Sequence, residues 1–122
     1  MTPIVPHFEL TEEDAEPGAY VIGLRGEIHL TTAPRLADHL TDAIEIGKTA
    51  IVLDMRGVEF IDSTGLSVLL NCLRLASQRG GRLALVCTNP TVLRLFQITN
   101  LDSTFDIFDD REKAVAHVTA PR

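Results

Sequence analysis

The stretch Ile61-Asp62-Ser63-Thr64-Gly65-Leu66 carries two adjacent hydroxyls on a predicted turn between two apolar segments. The upstream segment, Ala50-Ile51-Val52-Leu53, is short, apolar and rich in β-branched residues, which predicts a buried strand. Downstream, apolar residues recur at helical spacing, at Leu66, Leu69, Leu70, Leu73 and Ala76. This strand-turn-helix pattern decides the fold, and it predicts that Ser63 and Thr64 lie at a helix N-terminus.

Local chemistry supports two interpretations of the hydroxyls at this turn. Asp, Ser and Thr are common helix N-caps, and Gly65 can simply serve the turn. Alternatively, the unpaired N–H groups and the positive end of the helix dipole stabilise a negative group there, so a phosphate on either hydroxyl would fit. The local sequence leaves both interpretations open.

The rest of the chain alternates between strand and helix patterns. Predicted strands lie at residues 7–10, 20–24, 50–54, 83–86 and 105–108, and a turn at 16–18 pairs the first two antiparallel. Predicted helices begin at the possible cap Thr32, at Ser63, at Asn89-Pro90 and at Asp109, which forms a capping-box pattern with Glu112. Glycines at 47 and 80 end the first two helices. This order predicts a single α/β domain, residues 1–122 with a core of about 8–118, built on a mixed, mostly parallel sheet of about five strands and about four helices.

Composition limits the classes of partner and compartment. The 122 residues carry a formal net charge of −6, and the acid-rich segment before Arg25 lacks Lys and Arg, so nucleic acid would be repelled. Cys72 and Cys87 lie in apolar stretches without metal-ligand spacing, which predicts reduced core thiols in a cytoplasmic protein. The chain shows no signal-like start and no run of about 18 apolar residues, so we expect neither export nor a membrane span.

The polar residues do not predict a catalyst, a metal site or a bound cofactor. Ser63 and Ser67 lie outside a Gly-x-Ser-x-Gly elbow, and no phosphate loop ending in Lys-Ser or Lys-Thr is present. The histidines are isolated in sequence and form no His-x-x-x-His pair; they are His7, His29, His39 and His117. A hydroxyl at the turn is therefore better interpreted as a substrate for another enzyme than as a nucleophile.

Several short motifs resemble a known family. Gly26-Glu27-Ile28, Thr32-Ala33-Pro34, the turn at Asp62 and Arg79-Gly80-Gly81-Arg82-Leu83 occur in that order. Together they resemble the STAS domain of the anti-sigma factor antagonist family over about residues 8–118, and the Asp-Ser-Thr-Gly-Leu motif is the specific part. The resemblance implies a mixed sheet flanked by helices mainly on one side.

Loops that leave the carboxyl ends of parallel strands lie on one edge of such a sheet and form its usual working face. We expect these loops at residues 26–32, 55–65 and 88–91. The predicted partner-binding residues on this edge and at the start of the second helix are Glu27, His29, Leu30, Thr31, Asp62, Ser63, Thr64, Gly65, Leu66, Asn89 and Thr91.

The resemblance also implies a phosphorylation-controlled partner switch. In the family, the unmodified antagonist binds an anti-sigma factor, usually a serine kinase, and so frees the sigma factor for transcription. The kinase phosphorylates the antagonist, the complex dissociates, and a metal-dependent serine phosphatase resets it. The implied acceptor is Ser63, with Thr64 as the alternate.

One residue departs from the family pattern, and two other classes of function stay open. Related chains commonly carry an acidic residue where this chain has His29, which either changes the charge offered to a partner or has no consequence in a solvated loop. The domain could instead be an unphosphorylated scaffold or adaptor of a stressosome-like or lipid-transport complex. Weak nucleotide binding or hydrolysis has also been proposed for the family, but the chain lacks a phosphate loop.

Overall fold

The alternating patterns of the sequence form the elements that they predict, although several bounds differ. The structure is a computed structural model that describes residues 7–121, so the predicted domain of residues 1–122 extends past the described part at both ends. The strands are β1 (Phe8–Ala15), β2 (Ala19–Ile28), β3 (Ala50–Ile61), β4 (Arg82–Val86) and β5 (Asp106–Phe108). The helices are α1 (Ala33–Glu45), α2 (Ser63–Gln78), α3 (Pro90–Ile98) and α4 (Arg111–Thr119), with a short 3₁₀ turn at Leu101–Ser103.

The described strands form one mixed sheet in the order β1-β2-β3-β4-β5. β1 pairs antiparallel with β2, and the other neighbours are parallel. Parallel neighbours require a crossover, and α1, α2 and α3 supply it between successive strands. The predicted α/β class with a mostly parallel sheet and an antiparallel first strand is confirmed.

The helices cover the two faces of the sheet unequally. α1, α2 and α3 bury apolar faces against one side, in a core that includes Leu40, Leu69 and Phe96. α4 covers part of the other side with Ala114 and Val118, which pack against small and β-branched side chains of the sheet. The expected arrangement, with helices mainly on one side, is confirmed.

β2 and β3 are longer than the sequence predicts, which corrects the predicted working edge. The predicted strands end at residues 24 and 54, whereas β2 and β3 stay paired with each other to Ile28 and Ile61. β4 ends at Val86, opposite Asp54, so the second half of β3 projects beyond it. Much of the predicted loops 26–32 and 55–65 is therefore strand. The β2–β3 pairing shifts register between Gly23 and Arg25 and between Gly26 and Glu27. These irregularities allow the two strands to stay paired through a segment whose sequence resembles a loop.

β1 also runs past its predicted range of 7–10, to Ala15. Its additional residues are mostly acidic and exposed, including Glu12, Glu13 and Asp14. Charged side chains are tolerated on an edge strand because they point to solvent and discourage pairing with other chains. The run of acidic residues in this segment is therefore compatible with a strand at the edge of the sheet.

The helix ends correct two predicted caps. Thr32 occupies the N-cap position of α1 but makes no side-chain cap bond. Asp110, not Asp109, caps α4 by accepting the Lys113 N–H at 2.8 Å, because Asp110 has the extended backbone that an N-cap requires. Gly47 and Gly80 follow α1 and α2 with φ of 94° and 74°, which confirms them as stop signals.

The structure bears on the predicted core thiols and on the expectation that the chain has no membrane span. Cys72 and Cys87 are free and buried, as predicted. Burial raises the pKa of Cys72 to about 12 and also raises the pKa of Cys87, so both remain protonated thiols. No helix within residues 7–121 combines the length and apolar character needed to cross a membrane.

Candidate functional site

The turn at Asp62 lies between β3 and α2, as the sequence predicts, but it joins them directly because β3 extends to Ile61. Asp62 has an extended backbone, with φ −108° and ψ −173°, and its Oδ1 accepts the Gly65 N–H at 3.0 Å. Its carbonyl accepts the Leu66 N–H at 2.9 Å, which starts the helical hydrogen bonds. A carboxylate is therefore the N-cap of α2. The expectation that Ser63 or Thr64 caps the helix is wrong, because both residues already lie in its first turn.

The two hydroxyls of the motif differ in accessibility. Ser63 is exposed, whereas Thr64 is partly buried. Neither hydroxyl makes a hydrogen bond within the part of the chain that the structure describes. Ser63 is the first residue of α2, so the N–H groups that the helix leaves unpaired lie nearby. A group added to the Ser63 hydroxyl would therefore enter solvent at a helix N-terminus without displacing the cap.

Gly65 allows the first turn of α2 to lie directly against the ends of β2 and β3. A Cβ at this position would approach to 2.7 Å from Ile61 Cγ1, 2.8 Å from Ile28 Cγ2 and 2.9 Å from the Ile28 carbonyl oxygen. The Asp62 N–H donates to the same carbonyl at 3.1 Å. A side chain at Gly65 would therefore push the turn away from β2. Because Gly65 and Leu66 are buried, we expect them to position the predicted surface and not to contact a partner.

The loop between β2 and α1 is organised by Thr32. The Thr32 hydroxyl donates to the Glu27 carbonyl at 2.6 Å and accepts the His29 N–H at 3.0 Å, which is why it is not available to cap α1. His29 Nδ1 accepts the Thr31 N–H at 3.2 Å. These bonds hold the predicted residues of this loop in a compact turn beside the Asp62 motif, with Leu30 exposed at its tip.

Asn89 connects the third predicted segment to β3. Its side-chain oxygen accepts the Thr91 N–H at 2.9 Å and caps α3, as the sequence predicts. Its Nδ2 donates to the Val58 carbonyl at 3.2 Å, on the half of β3 that projects beyond β4. Asn89 is partly buried and Thr91 is exposed. The structure therefore brings this segment alongside β3, while the end of β2, at Ile28, contacts the turn itself.

Exposed apolar residues at this edge were not predicted from the sequence. Phe60 is exposed on β3, and the His29 ring meets its ring edge-on at a centroid distance of 6.2 Å. Ile98 is exposed at the last position of α3. The sequence signal for this surface was Phe60 itself, an aromatic residue two positions before Asp62. Because the segment was interpreted as a loop, the side of a strand on which Phe60 lies could not be predicted.

The side chains around the Asp62 turn are mainly acidic, and the exposed hydroxyl of the motif is that of Ser63. The partly buried Glu27 and Asp62 and the exposed Glu59 contribute negative charge around Ser63. No basic side chain hydrogen-bonds the Ser63 hydroxyl within residues 7–121. The same residues contain no group of His, Cys, Asp and Glu placed to hold a metal ion.

Comparisons with known proteins agree on one family. The family model of the STAS domain matches residues 11–114. The chain is 30% identical over 108 residues to an anti-sigma F factor antagonist of Paenibacillus polymyxa, and the aligned region covers 88% of this chain and 92% of the relative. Its fold is similar to that of an anti-sigma factor antagonist from Mycobacterium paratuberculosis, with a TM-score of 0.80, 28% identity and coverage of 92% and 94%. It is also similar to the Bacillus cell fate determinant SpoIIAA solved in the phosphorylated form, with a TM-score of 0.70, 25% identity and coverage of 90% and 99%.

Proposed function

The chain belongs to the STAS-domain family of anti-sigma factor antagonists, and we propose that it acts as a phosphorylation-controlled partner switch. Its unphosphorylated form binds an anti-sigma factor that is a serine kinase, and the sigma factor is released for transcription. The kinase then phosphorylates Ser63 and the complex dissociates. A metal-dependent serine phosphatase restores the unmodified form. The phosphorylated state of SpoIIAA, a relative at 25% identity, supports the proposal.

The observation that carries the proposal is the exposed Ser63 hydroxyl on a helix whose cap is a different residue. Because the Asp62 carboxylate caps α2, the start of the helix does not depend on the Ser63 hydroxyl. Phosphorylation adds nearly two negative charges at a helix N-terminus, where the helix dipole favours them. We therefore expect the fold to tolerate the modification.

Loss of binding follows from the chemistry of the same phosphate. A partner that covers the turn would have to remove water from a doubly charged group, and the neighbouring Asp62 carboxylate would repel it as well. The expected contact surface comprises the predicted partner-binding residues that are exposed or partly buried. These are Glu27, His29, Leu30, Thr31, Asp62, Ser63, Thr64, Asn89 and Thr91.

Accessibility supports Ser63 over Thr64 as the acceptor. A kinase must bring the hydroxyl oxygen in line with the γ-phosphate of ATP, which requires an oxygen that reaches out of the surface. Ser63 is exposed and Thr64 is partly buried, in the same turn of α2. We propose that the protein is the substrate in this reaction and has no catalytic activity of its own.

The test is phosphorylation by the purified cognate kinase with ATP, followed by intact-mass measurement. The wild-type protein and the Thr64→Val variant should gain one phosphate, whereas Ser63→Ala should gain none. Ser67→Ala, which removes another exposed hydroxyl of α2, serves as the matched control and should be modified normally. A wild-type protein that gains no phosphate would favour the scaffold interpretation, and a Ser63→Ala variant modified at the wild-type rate would exclude Ser63 as the acceptor.

A further inference from the structure

An apolar groove of about 310 Å³ lies between the projecting half of β3 and the side of α3. Its apolar lining is formed by Phe60, Ile61, Val92, Leu95 and Ile98. Glu59, Thr91 and Arg94 complete it. The groove has room for a large aliphatic or aromatic side chain, and filling it would remove apolar surface from water.

Large apolar side chains of this groove are exposed to solvent. Phe60 is 48% exposed and Ile98 is 69% exposed. Leu30, at 73%, lies next to His29, whose ring meets Phe60. The other exposed large hydrophobic residue of the described chain, Ile46 at 74%, lies at the end of α1. Exposed apolar surface is thus concentrated at the edge that carries the motif, which is typical of an interaction site.

The groove is continuous with the surface that we expect to bind the anti-sigma factor. Ile61 lines the groove and also contacts Gly65 in the first turn of α2. Thr91, a predicted partner-binding residue, lies on the rim of the groove. A partner that contacts Thr91 as well as the Asp62 turn would therefore also reach the groove.

Charges at the rim indicate the chemistry around the occupant. Arg94 is exposed and makes no ion pair with another described residue. Glu27, Glu59 and Asp62 make the rest of this edge acidic. A carboxylate on the partner would therefore be attracted to Arg94, next to an apolar side chain in the groove.

We infer that the groove binds an apolar side chain of the anti-sigma factor, flanked by a carboxylate that pairs with Arg94. The inference rests on the proposed function, because it assigns a second contact to the same partner. Phosphate on Ser63 adds negative charge at the turn but leaves the apolar lining of the groove unchanged. The partner is held at two places, and phosphorylation weakens one of them.

The test compares Ile98→Ser with Ile46→Ser, since these isoleucines are similarly exposed at the C-terminal ends of α3 and α1. Each variant is titrated calorimetrically against the purified anti-sigma factors of the source organism, with circular dichroism melts as the folding control. Ile98→Ser should bind roughly 10-fold or more weakly, because an apolar anchor is lost from a buried contact. Ile46→Ser should stay within about twofold of wild type, as expected for a residue outside the interface.

The same titrations in a Ser63→Asp background separate the two contacts. If the groove acts independently, Ile98→Ser weakens binding by the same factor in both backgrounds. Equal affinities of Ile98→Ser and Ile46→Ser would overturn the inference, while the effect of Ser63→Asp still reports on the proposed function. A dimeric wild type that Ile98→Ser makes monomeric, with unchanged affinity for the anti-sigma factor, would assign the groove to a second copy and overturn it as well. If no anti-sigma factor binds the wild type, the proposed function fails and the inferred occupant with it.

Discussion

β3 carries the buried Asp54 carboxylate near its middle and leads to the exposed Ser63 hydroxyl at the start of α2. The two sites differ in burial and in the hydrogen bonds that they make. The Asp54 carboxylate is only 7% exposed, and both its oxygens accept hydrogen bonds from arginines. Arg56 holds it at 2.7 Å and Arg111 at 2.9 Å, and Arg111 also pairs with Glu13. The Ser63 hydroxyl has no such partner within residues 7–121.

The difference indicates where a charge stabilises this fold and where a charge can act as a signal. The ion pairs of Asp54 and Arg111 join β3 to α4 and, through Glu13, to β1. Loss of the Asp54 carboxylate would therefore weaken contacts among three elements. At Ser63, the Asp62 cap already satisfies the helix terminus, so an added charge changes the surface without breaking contacts.

The largest expected effect on stability is at Asp54. Asp54→Asn removes the anionic partner of Arg56 and leaves Arg111 with only its exposed pair to Glu13, and we expect it to lower the free energy of unfolding by roughly 2 to 3 kcal/mol. Urea denaturation at neutral pH measures this loss. The matched control is Asp109→Asn, which removes an exposed carboxylate paired with Lys113 and should have a much smaller effect on the free energy of unfolding, because exposed ion pairs contribute little. Equal losses for the two variants would contradict the proposed role of the Asp54 network.

Acid should reveal the same network. Burial alone would raise the pKa of Asp54, but hydrogen bonds from Arg56 and Arg111 outweigh it and lower the pKa to about 2. The stability that Asp54 contributes is therefore present above its ordinary pKa of 3.8 and is lost as the pH falls from 3.8 towards about 2. Denaturation curves across this range should show a smaller loss for Asp54→Asn than for wild type. Parallel curves would mean that other carboxylates cause the loss.

Gly65→Ala should have the next largest effect on stability. The added Cβ would meet the Ile28 carbonyl oxygen and two isoleucine side chains at under 3 Å, so the turn must shift. We expect a loss of roughly 1 to 3 kcal/mol in thermal or urea melts, as for overpacking in a core. Ser77→Ala, on the exposed part of α2, is the control and should have little effect. A Gly65→Ala variant as stable as this control would show that the turn is not held closely against β2.

The smallest expected effects on the free energy of unfolding are those of Asp62→Ala and Ser63→Ala, and the two should differ. Asp62→Ala removes the N-cap of α2 and should cost about 1 kcal/mol. Ser63→Ala removes a hydroxyl without a described partner and should change the free energy of unfolding by less than about 0.5 kcal/mol. Melts of the two variants under identical conditions check the difference. The reverse order would place the cap at Ser63 and return the hydroxyl to a structural role.

The order of elements could be predicted from the sequence because each element has a local signal. The helical repeat from Leu66 to Ala76, the stop at Gly80 and the cap at Asn89 all depend on residues that are close in sequence. The antiparallel first pair followed from the turn at residues 16–18 in the same way. These signals were sufficient for the α/β class and for placing the motif at a helix N-terminus.

The remaining features depend on contacts between distant residues. β3 continues to Ile61 because β2 pairs with it there, although Arg56, Gly57 and Glu59 make the segment look like a loop. The cap falls on Asp62 because the strand ends one residue before it, and Asp, Ser and Thr are equally suited by type. The groove arises only when α3 lies beside the projecting part of β3. No local pattern could have predicted that arrangement.

The most direct test of the central claim is calorimetric titration of Ser63→Ala and Ser63→Asp against the cognate anti-sigma kinase. Both variants should remain folded in circular dichroism melts. Ser63→Ala should bind persistently, and Ser63→Asp should bind roughly 30-fold to several thousand-fold more weakly, because a carboxylate must lose its water in the interface. Charge reversal of Asp42 or Glu45, exposed at the far end of α1, should leave binding unchanged. Equal affinities of the two well-folded Ser63 variants would contradict a phosphorylation switch at Ser63.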